Sequence, residues 1–207
     1  MGGIDRRAHW DKVYQSKVSE ELTWYQARPE TSLRLIESAS LDSDARILDV
    51  GGGTSTLVDH LLDLGYRKLG VLDVSPVVLQ RAQRRLGSRG SSIEWLEADV
   101  TRFEPSHSWD VWHDRAALHF LTDPEDVAGY RRSMLAALAP DGQAVIATFG
   151  PAGPPKCSGL HVQRYDPDSL LEVLGPNMQL VESVLEEHVT PKDEMQQFLF
   201  CRFRRIE

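Results

Sequence analysis

The stretch LDVGGGTST, residues 48–56, combines an aspartate with a run of three glycines directly after an apolar segment. Glycine has no side chain, so a loop of this composition lets a ligand approach the backbone closely. Gly51 and Gly53 match the first two glycines of the G-x-G-x-x-G fingerprint of dinucleotide enzymes. Thr56 stands where the third glycine belongs. The glycine pattern alone therefore does not identify the ligand.

Asp49 discriminates between the ligands that such a loop can hold. In a dinucleotide enzyme a pyrophosphate sits at the start of the following helix, and a carboxylate a few ångströms away would cost on the order of 1 kcal/mol or more. S-adenosylmethionine has no phosphate and carries a positively charged ammonium group. We therefore expect Asp49 to bind that ammonium, while Gly51, Gly52 and Gly53 bring the methionine part of the cofactor close to backbone N–H groups.

Two further aspartates end the next two predicted strands. Asp73 closes the strand in VLDVS, and Asp99 closes the strand in EADVT. A carboxylate at the first position can accept both ribose hydroxyls of a nucleoside, and Asp99 is placed to accept a hydrogen bond from an adenine amino group. Each aspartate alone is equally consistent with a helix cap or a turn, but three successive strands ending in aspartate favour a cofactor site. Val74 and Val100, which follow these aspartates, are included in the predicted site.

Residues 113–120, HDRAALHF, form the predicted reaction wall, because they follow the fourth strand. Asp114 either orients a cationic acceptor or caps the turn that follows, and it is also counted at the cofactor site. His119 is the candidate general base, since imidazole titrates near neutral pH; the alternative is a packed histidine bonded to a backbone carbonyl. Asp114 and His119 are thus the predicted catalytic residues. The predicted acceptor contacts of this segment are Arg115, His119 and Phe120.

Alternating strands and helices position these residues. Short apolar strands are predicted at ARILDV, KLGVLDV, SIEWLEADV, SWDVWHDR and QAVIATF, and helices are predicted between them. An aromatic-rich helical segment precedes them, from Ala8 to Ser38. The alternation predicts a parallel sheet with helices on both faces. The last two runs, MQLVESVLEEHV and EMQQFLFCRFRR, have no helix between them, so we expect them to pair antiparallel at one edge.

Composition limits the partners and the location of the protein. The 207 residues carry a net charge of -8, which argues against a broad nucleic-acid or membrane surface. Cys157 and Cys201 have no metal-ligand spacing, and no metal site is expected. Two free thiols, no leader-like N-terminus and no apolar run of about 20 residues predict a soluble cytoplasmic protein.

Five motifs of the chain occur in the order and spacing of a known enzyme family. They are ILDVGGGTS, GVLDVS, EADV, WDVWHDRAALHFL and LAPDGQAVIATF. The chain resembles the class I S-adenosylmethionine-dependent methyltransferases over roughly residues 8 to 207. WHDRAALHFL is most similar to a bacterial subgroup of small methyltransferases and more loosely to the family's protein-lysine methyltransferases. The resemblance implies an α/β, Rossmann-like, doubly wound sheet of seven strands, mostly parallel with the last strand antiparallel, in a single domain over residues 1–207.

Two flanking segments gain a role from this resemblance. Residues 1–40 would form the helical cover that closes over the cofactor in related enzymes, with Trp24 against the cofactor and Tyr25 against the acceptor; plain core packing is the alternative for this pair. Residues 150–164, rich in proline and glycine, are expected to be an irregular loop on the active face and a candidate lid.

These features predict a methyltransferase that transfers the methyl group of S-adenosylmethionine to a small molecule. A protein-lysine methyltransferase is the alternative within the class. A cofactor-binding pseudo-enzyme that works as a partner module is a further alternative, as is an NAD-dependent oxidoreductase, which Asp49 and Thr56 disfavour. The acceptor atom stays open, because a thiolate needs no strong base whereas a lysine amine must first lose a proton.

Overall fold

The computed structural model describes residues 5–206, and its main feature is one seven-stranded sheet. Residues 1–4 and 207, which belong to the predicted domain and cover, lie outside the described residues. The strands of this sheet are β1 (Arg46–Val50), β2 (Lys68–Asp73), β3 (Glu94–Glu97), β4 (Trp109–Arg115), β5 (Leu138–Phe149), β8 (Met178–Val189) and β9 (Met195–Arg205). Their order is β3-β2-β1-β4-β5-β9-β8. Only β9 runs antiparallel to its neighbours β5 and β8, which confirms the predicted fold class.

Six α-helices flank the sheet in the described part of the chain. They are α1 (Arg6–Ser16), α2 (Glu30–Glu37), α3 (Leu57–Asp63), α4 (Pro76–Leu86), α5 (Pro124–Ala137) and α6 (Pro167–Leu174). The predicted Ser-Pro and Asp-Pro starts are confirmed at the last three of these helices. In each of them the side chain before the proline accepts a backbone N–H of the first turn, which satisfies one of the donors that a helix start leaves free. None of the helices in the described part of the chain is long and apolar enough to cross a membrane.

The core lies on both faces of the sheet. Alternate residues of a strand point to opposite faces, and Ile47 of β1 packs into one apolar cluster while Leu48 packs into the other. The first cluster includes buried side chains of α2, α3 and α4, and the second includes those of α5 and α6. β1 is covered on both faces, which explains why its sequence is a continuous apolar run rather than an alternating one.

Two predictions of local structure were wrong. The segment from Ala8 to Ser38 is not one helical stretch, because α1 ends at Ser16 and α2 starts only at Glu30, after a 3-10 turn at Ser19–Glu21. The loop over residues 150–164 contains a small hairpin of β6 (Lys156–Cys157) and β7 (Leu160–His161). Ser158 and Gly159 both adopt positive φ between these strands. A two-residue turn of this kind suits a hairpin, and the prolines before it masked that signal.

Candidate active site

A deep cleft opens at the carboxyl ends of β1, β2, β3 and β4, where the strand order reverses between β1 and β4. Ligands of doubly wound sheets bind at such a switch point. The space within the cleft is about 1080 Å³ when its open mouth is included. Its opposite wall comes from α1 and from the segment between Trp24 and Pro29.

Asp49 is buried at the base of the cleft and has one free oxygen. Its Oδ1 accepts a hydrogen bond from His113 Nδ1 at 2.7 Å, and His113 Nε2 lies 2.9 Å from the Ser32 hydroxyl. Because a carboxylate only accepts, His113 Nδ1 must carry the proton. Asp49 Oδ2 has no hydrogen-bond partner although it is buried. An unpaired buried carboxylate oxygen is costly, so this atom indicates a ligand with a positively charged donor.

Gly51 and Gly52 leave no room for a side chain in the loop after β1. A Cβ atom on Gly52 would lie 2.7 Å from Val71 Cγ1 and 2.9 Å from Asp49 Oδ2. Gly51 has a φ of 62°, and a Cβ there would lie 2.9 Å from Ala117 Cβ. The loop therefore exposes backbone next to the free carboxylate oxygen, as a small zwitterionic ligand requires.

Asp73 lies at the end of β2 and also lines the cleft. Burial raises its pKa to about 7, and repulsion from Asp49 adds to this, while N–H groups of Ser75, Gly53 and Val74 oppose it. The Ser75 N–H donates to Asp73 Oδ1 at 2.9 Å. This carboxylate is thus fixed by backbone donors and poised between its two protonation states near neutral pH.

Asp99 lines the cleft as well, but both of its oxygens already have partners. Thr101 donates its N–H and its hydroxyl to Oδ1, and Arg6 Nη1 donates to Oδ2 at 2.8 Å. Partial burial alone would raise the pKa of Asp99, but these bonds outweigh it and lower the pKa. A carboxylate oxygen can accept a second hydrogen bond, so the site can still take a further donor.

Arg115 ends β4 and lines the acceptor side of the cleft. Its Nη1 donates to the carbonyl of Trp24 at 2.6 Å, and its guanidinium carbon lies 5.0 Å from the centre of the Phe198 ring. Burial lowers the pKa of Arg115 to about 10, against the favourable charges of Glu186 and Asp49. The side chain thus stays cationic while it joins the sheet to the segment around Trp24.

Aromatic rings form the remaining wall on the acceptor side. Trp10 of α1 packs edge-on against Phe120, with ring centres 4.9 Å apart, and against Trp24 at 6.0 Å. Tyr14, one helical turn after Trp10, packs beside it and lines the cleft toward Asp73. Tyr25 also lines the cleft. These rings give this part of the cleft an apolar surface.

Asp114 does not reach the cleft, contrary to the prediction that it orients an acceptor. It is fully buried, and it accepts hydrogen bonds from the N–H groups of Ala117 and Leu118 and from the Tyr130 hydroxyl at 2.8, 3.0 and 2.7 Å. Burial raises its pKa to about 6. The alternative reading, a cap for the turn after β4, describes this geometry.

His119 also lies outside the cleft, so the structure does not bring the predicted general base to the ligands. It is fully buried, and Nδ1 accepts the N–H of Phe149 at 3.2 Å. Its ring packs against Phe120 and Phe149, and burial lowers its pKa to about 3. The packed-histidine alternative fits, except that the partner is a backbone N–H and not a carbonyl.

The structure brings most of the other predicted site residues together. Gly53 is not among the residues that line the cleft, but a Cβ atom there would come 2.9 Å from the hydroxyl of Tyr14, which does line it. No residue of the predicted lid, 150–164, is among the residues that line the cleft. The predicted residues that do line it are Trp24, Tyr25, Asp49, Gly51, Gly52, Asp73, Val74, Asp99, Val100, Arg115 and Phe120.

Several residues that line the cleft were not predicted as site residues, among them His113, Arg6, Trp10 and Tyr14. His113 was only placed at a strand end, and its bond to Asp49 follows from the register that pairs these two residues across β1 and β4. Arg6, Trp10 and Tyr14 all come from α1. The i, i+4 spacing of Trp10 and Tyr14 puts both rings on one helical face, which is the one sequence signal that pointed to them.

The fold and the site define a Rossmann-like domain for a nucleoside cofactor with an ammonium group. Residues 47–142 match the family model described as a methyltransferase domain. This match and the fold are those of the class I S-adenosylmethionine-dependent methyltransferases. The cofactor of this family is S-adenosylmethionine, and the free Asp49 oxygen beside the glycine backbone fits its ammonium group.

The chain matches relatives that carry different names. The chain is 32% identical over 123 residues to the eEF1A lysine and N-terminal methyltransferase of Mus musculus, covering 58% of this chain but 17% of that protein. It is 31% identical over 126 residues to nodulation protein S of Sinorhizobium fredii, covering 59% of this chain and 55% of the relative. This chain thus spans about half or less of the length of these relatives.

Solved structures agree on the fold. The N-methyltransferase NodS of Bradyrhizobium japonicum WM9, solved with S-adenosyl-L-homocysteine, superimposes with a TM-score of 0.73 at 21% identity, covering 95% of this chain and 98% of the other. A protein from a study of the conversion of a disulfide bond into a thioacetal group in echinomycin biosynthesis gives 0.79 at 20% identity, covering 97% and 93%.

Proposed function

We propose that the protein transfers the methyl group of S-adenosylmethionine to a small-molecule acceptor. The observation that carries the proposal is the unpaired Asp49 Oδ2 next to the glycine backbone, at the base of a cleft whose other end is aromatic and cationic. One end suits a zwitterionic nucleoside cofactor, and the other end suits a second small ligand.

The cofactor would be held by the strand-end residues. Asp49 would take the ammonium group, with His113 and Ser32 fixing the orientation of its carboxylate. Asp73 would accept the ribose hydroxyls, and Asp99 the adenine amino group. When bound, S-adenosylmethionine supplies an activated methyl group on a sulfonium leaving group.

The protein's part in the transfer is alignment and exclusion of water. Trp10, Trp24 and Phe120 close the space in front of the strand ends, and a reaction of this kind gains most from holding donor and acceptor in line. Within the described lining of the cleft, Asp49, His113 and Asp99 already engage partners, and Asp73 would be occupied by the ribose hydroxyls of the cofactor. We infer that the acceptor arrives with a free lone pair and needs no strong base.

The charge of the acceptor side favours a small acceptor over a protein lysine. A lysine side chain approaching the cleft would meet the Arg115 guanidinium, which lines the cleft and stays cationic. The lysine would also have to lose a proton, and His119 is not in reach. The likeness to a lysine methyltransferase keeps that substrate as the second candidate.

Two measurements test the proposal. Calorimetry with S-adenosylmethionine and with S-adenosylhomocysteine should show saturable binding, and no heat at millimolar cofactor would contradict it. The protein should then be incubated with cell lysate and methyl-labelled cofactor. We expect label in the small-metabolite fraction, whereas label confined to a protein band supports the lysine alternative.

A further inference from the structure

The guanidinium of Arg115 has one occupied edge and one unoccupied edge. Nη1 donates to the Trp24 carbonyl at 2.6 Å, whereas Nε and Nη2 have no partner although both atoms are buried. Arginine carries five N–H donors, and leaving buried donors unpaired is costly. The Trp24 carbonyl alone therefore does not account for this residue.

The two unpaired atoms lie along the same edge of the planar guanidinium group. Nε and Nη2 present parallel N–H bonds, which is the fork that binds both oxygens of a carboxylate. Arg115 lines the cleft together with Trp24, Tyr25 and Phe120. Arg115 is thus a residue of the cleft, although the two unpaired nitrogens themselves are buried.

The acids near Arg115 are engaged with other groups. Glu186 favours the charged guanidinium from a distance, but its two oxygens accept hydrogen bonds from Gln26 and Thr31. Asp49 gives one oxygen to His113, and in the proposed function its other oxygen takes the cofactor ammonium. Cofactor binding would therefore neutralise one of the two acids that favour the Arg115 charge.

The other charged groups around this region do not fill the fork. Arg6, the second guanidinium that lines the described part of the cleft, is paired with Asp99 and Asp126. His119 and His188 each feel the Arg115 charge, which together with burial lowers the pKa of both rings. Neutral imidazoles do not compensate a guanidinium, so the Arg115 charge is offset by Glu186 and Asp49 at a distance and by the Phe198 ring, and not by a direct ion pair.

We propose that Arg115 binds a carboxylate of the methyl acceptor, so that the acceptor is a small carboxylic acid with an aromatic or apolar body. The inference rests on the proposed methyltransferase function and names its substrate class. One planar fork and one cation match a monoanionic carboxylate, and the rings of Trp10, Trp24 and Phe120 match the apolar body. A phosphate dianion would call for a second free cation.

Matched pairs of acids and amides test this class directly. Wild-type protein saturated with S-adenosylhomocysteine is titrated with benzoate and benzamide, phenylacetate and phenylacetamide, and hexanoate and hexanamide. Because a charged hydrogen-bonded pair is lost in each amide, we expect at least one acid to bind about tenfold or more tighter than its amide. The variant Arg115→Gln should bring that ratio to about one, and Arg115→Lys should retain part of it.

Arg204→Gln is the matched control, since Arg204 is an exposed arginine of β9 outside the cleft, and it should leave the ratio unchanged. If S-adenosylhomocysteine binds but no acid is preferred over its amide, the inference is overturned while the proposed function stands. If S-adenosylhomocysteine does not bind, both are rejected. Should Arg115→Gln fail to fold, the wild-type ratio and Arg115→Lys still decide.

Discussion

The two halves of the cleft are assembled from different kinds of sequence. The half of the cleft that we propose for the cofactor, the cofactor half, consists of Asp49, Asp73 and Asp99 with the glycine loop, and each aspartate lies within two residues of the end of its own parallel strand. The half that we propose for the acceptor, the acceptor half, combines Trp10 and Trp24 with Arg115 and Phe120, which come from well-separated parts of the chain. The residues of the cofactor half can be located from local sequence and strand order. Those of the acceptor half are distant in the sequence and come together only through tertiary contacts.

Asp49 and Asp114 show how little separates a ligand-binding acid from a structural one. Both are buried, and they lie at the ends of the adjacent strands β1 and β4, where Val50 pairs with Asp114. Asp114 gives its oxygens to two N–H groups and to Tyr130, whereas Asp49 keeps Oδ2 free. The difference is in the unused hydrogen-bonding capacity and not in residue type or depth.

The strongest test of this difference compares Asp49→Asn with Asp114→Asn. Removing the charge of Asp49 leaves the cofactor ammonium without its counterion, so we expect affinity for S-adenosylhomocysteine to fall by about a hundredfold. Asp114→Asn should change that affinity by no more than about twofold, because loss of its turn cap and Tyr130 bond acts on stability. Calorimetry gives the affinities, and thermal unfolding should show the larger loss for Asp114→Asn. Equal losses of affinity would abolish the distinction between the two acids.

The pH dependence of cofactor binding tests the second aspartate of the cofactor half. The pKa of Asp73 is about 7 because it is buried and faces Asp49, and ribose hydroxyls donate best to its ionised form. Affinity for S-adenosylhomocysteine should therefore rise about tenfold between pH 6 and pH 8. Asp73→Asn should bind more weakly and show no such rise. A steep rise that survives this substitution assigns the titration to another group.

The same raised pKa has an opposite effect on stability. The folded protein holds the Asp73 proton to higher pH than the unfolded chain, so this group lowers the free energy of unfolding as pH rises from about 4 to about 7. At pH 8 the unliganded Asp73→Asn variant should be at least as stable as the wild type. Ionised Asp73 would thus favour cofactor binding while it lowers the free energy of unfolding of the unliganded protein. Such a trade-off is common in functional sites.

The fold and the cofactor half were largely predictable because their signals are local. A Ser-Pro or Asp-Pro pair marks the start of a helix, and an aspartate that ends a parallel strand must lie at the edge of the sheet where ligands bind. These rules placed Asp49 and Asp73 without knowledge of the tertiary contacts.

The acceptor half could not be predicted with the same accuracy, because the type of a residue does not reveal which way its side chain points. His119 and Arg115 lie four residues apart, but the turn after β4 directs His119 against Phe149 and leaves Arg115 at the cleft. Ala116 has a φ of 73° in that turn, a conformation that is uncommon for residues other than glycine. No sequence rule predicts this backbone conformation at an alanine. The directions in which the side chains after Ala116 point were therefore not predictable.

The smallest expected effect tests whether α1 belongs to the cofactor half. Arg6 links α1 to Asp99 and to Asp126, whereas the adjacent Arg7 pairs only with Glu97 on a more exposed surface. Since partly exposed ion pairs contribute little, Arg6→Gln should weaken S-adenosylhomocysteine binding by about threefold, and Arg7→Gln should have no measurable effect. Hydrogen exchange should show faster opening of α1 only in Arg6→Gln. Equal behaviour of the two variants would mean that the aromatic contacts of Trp10, and not the Arg6 ion pairs, hold the cover over the cofactor.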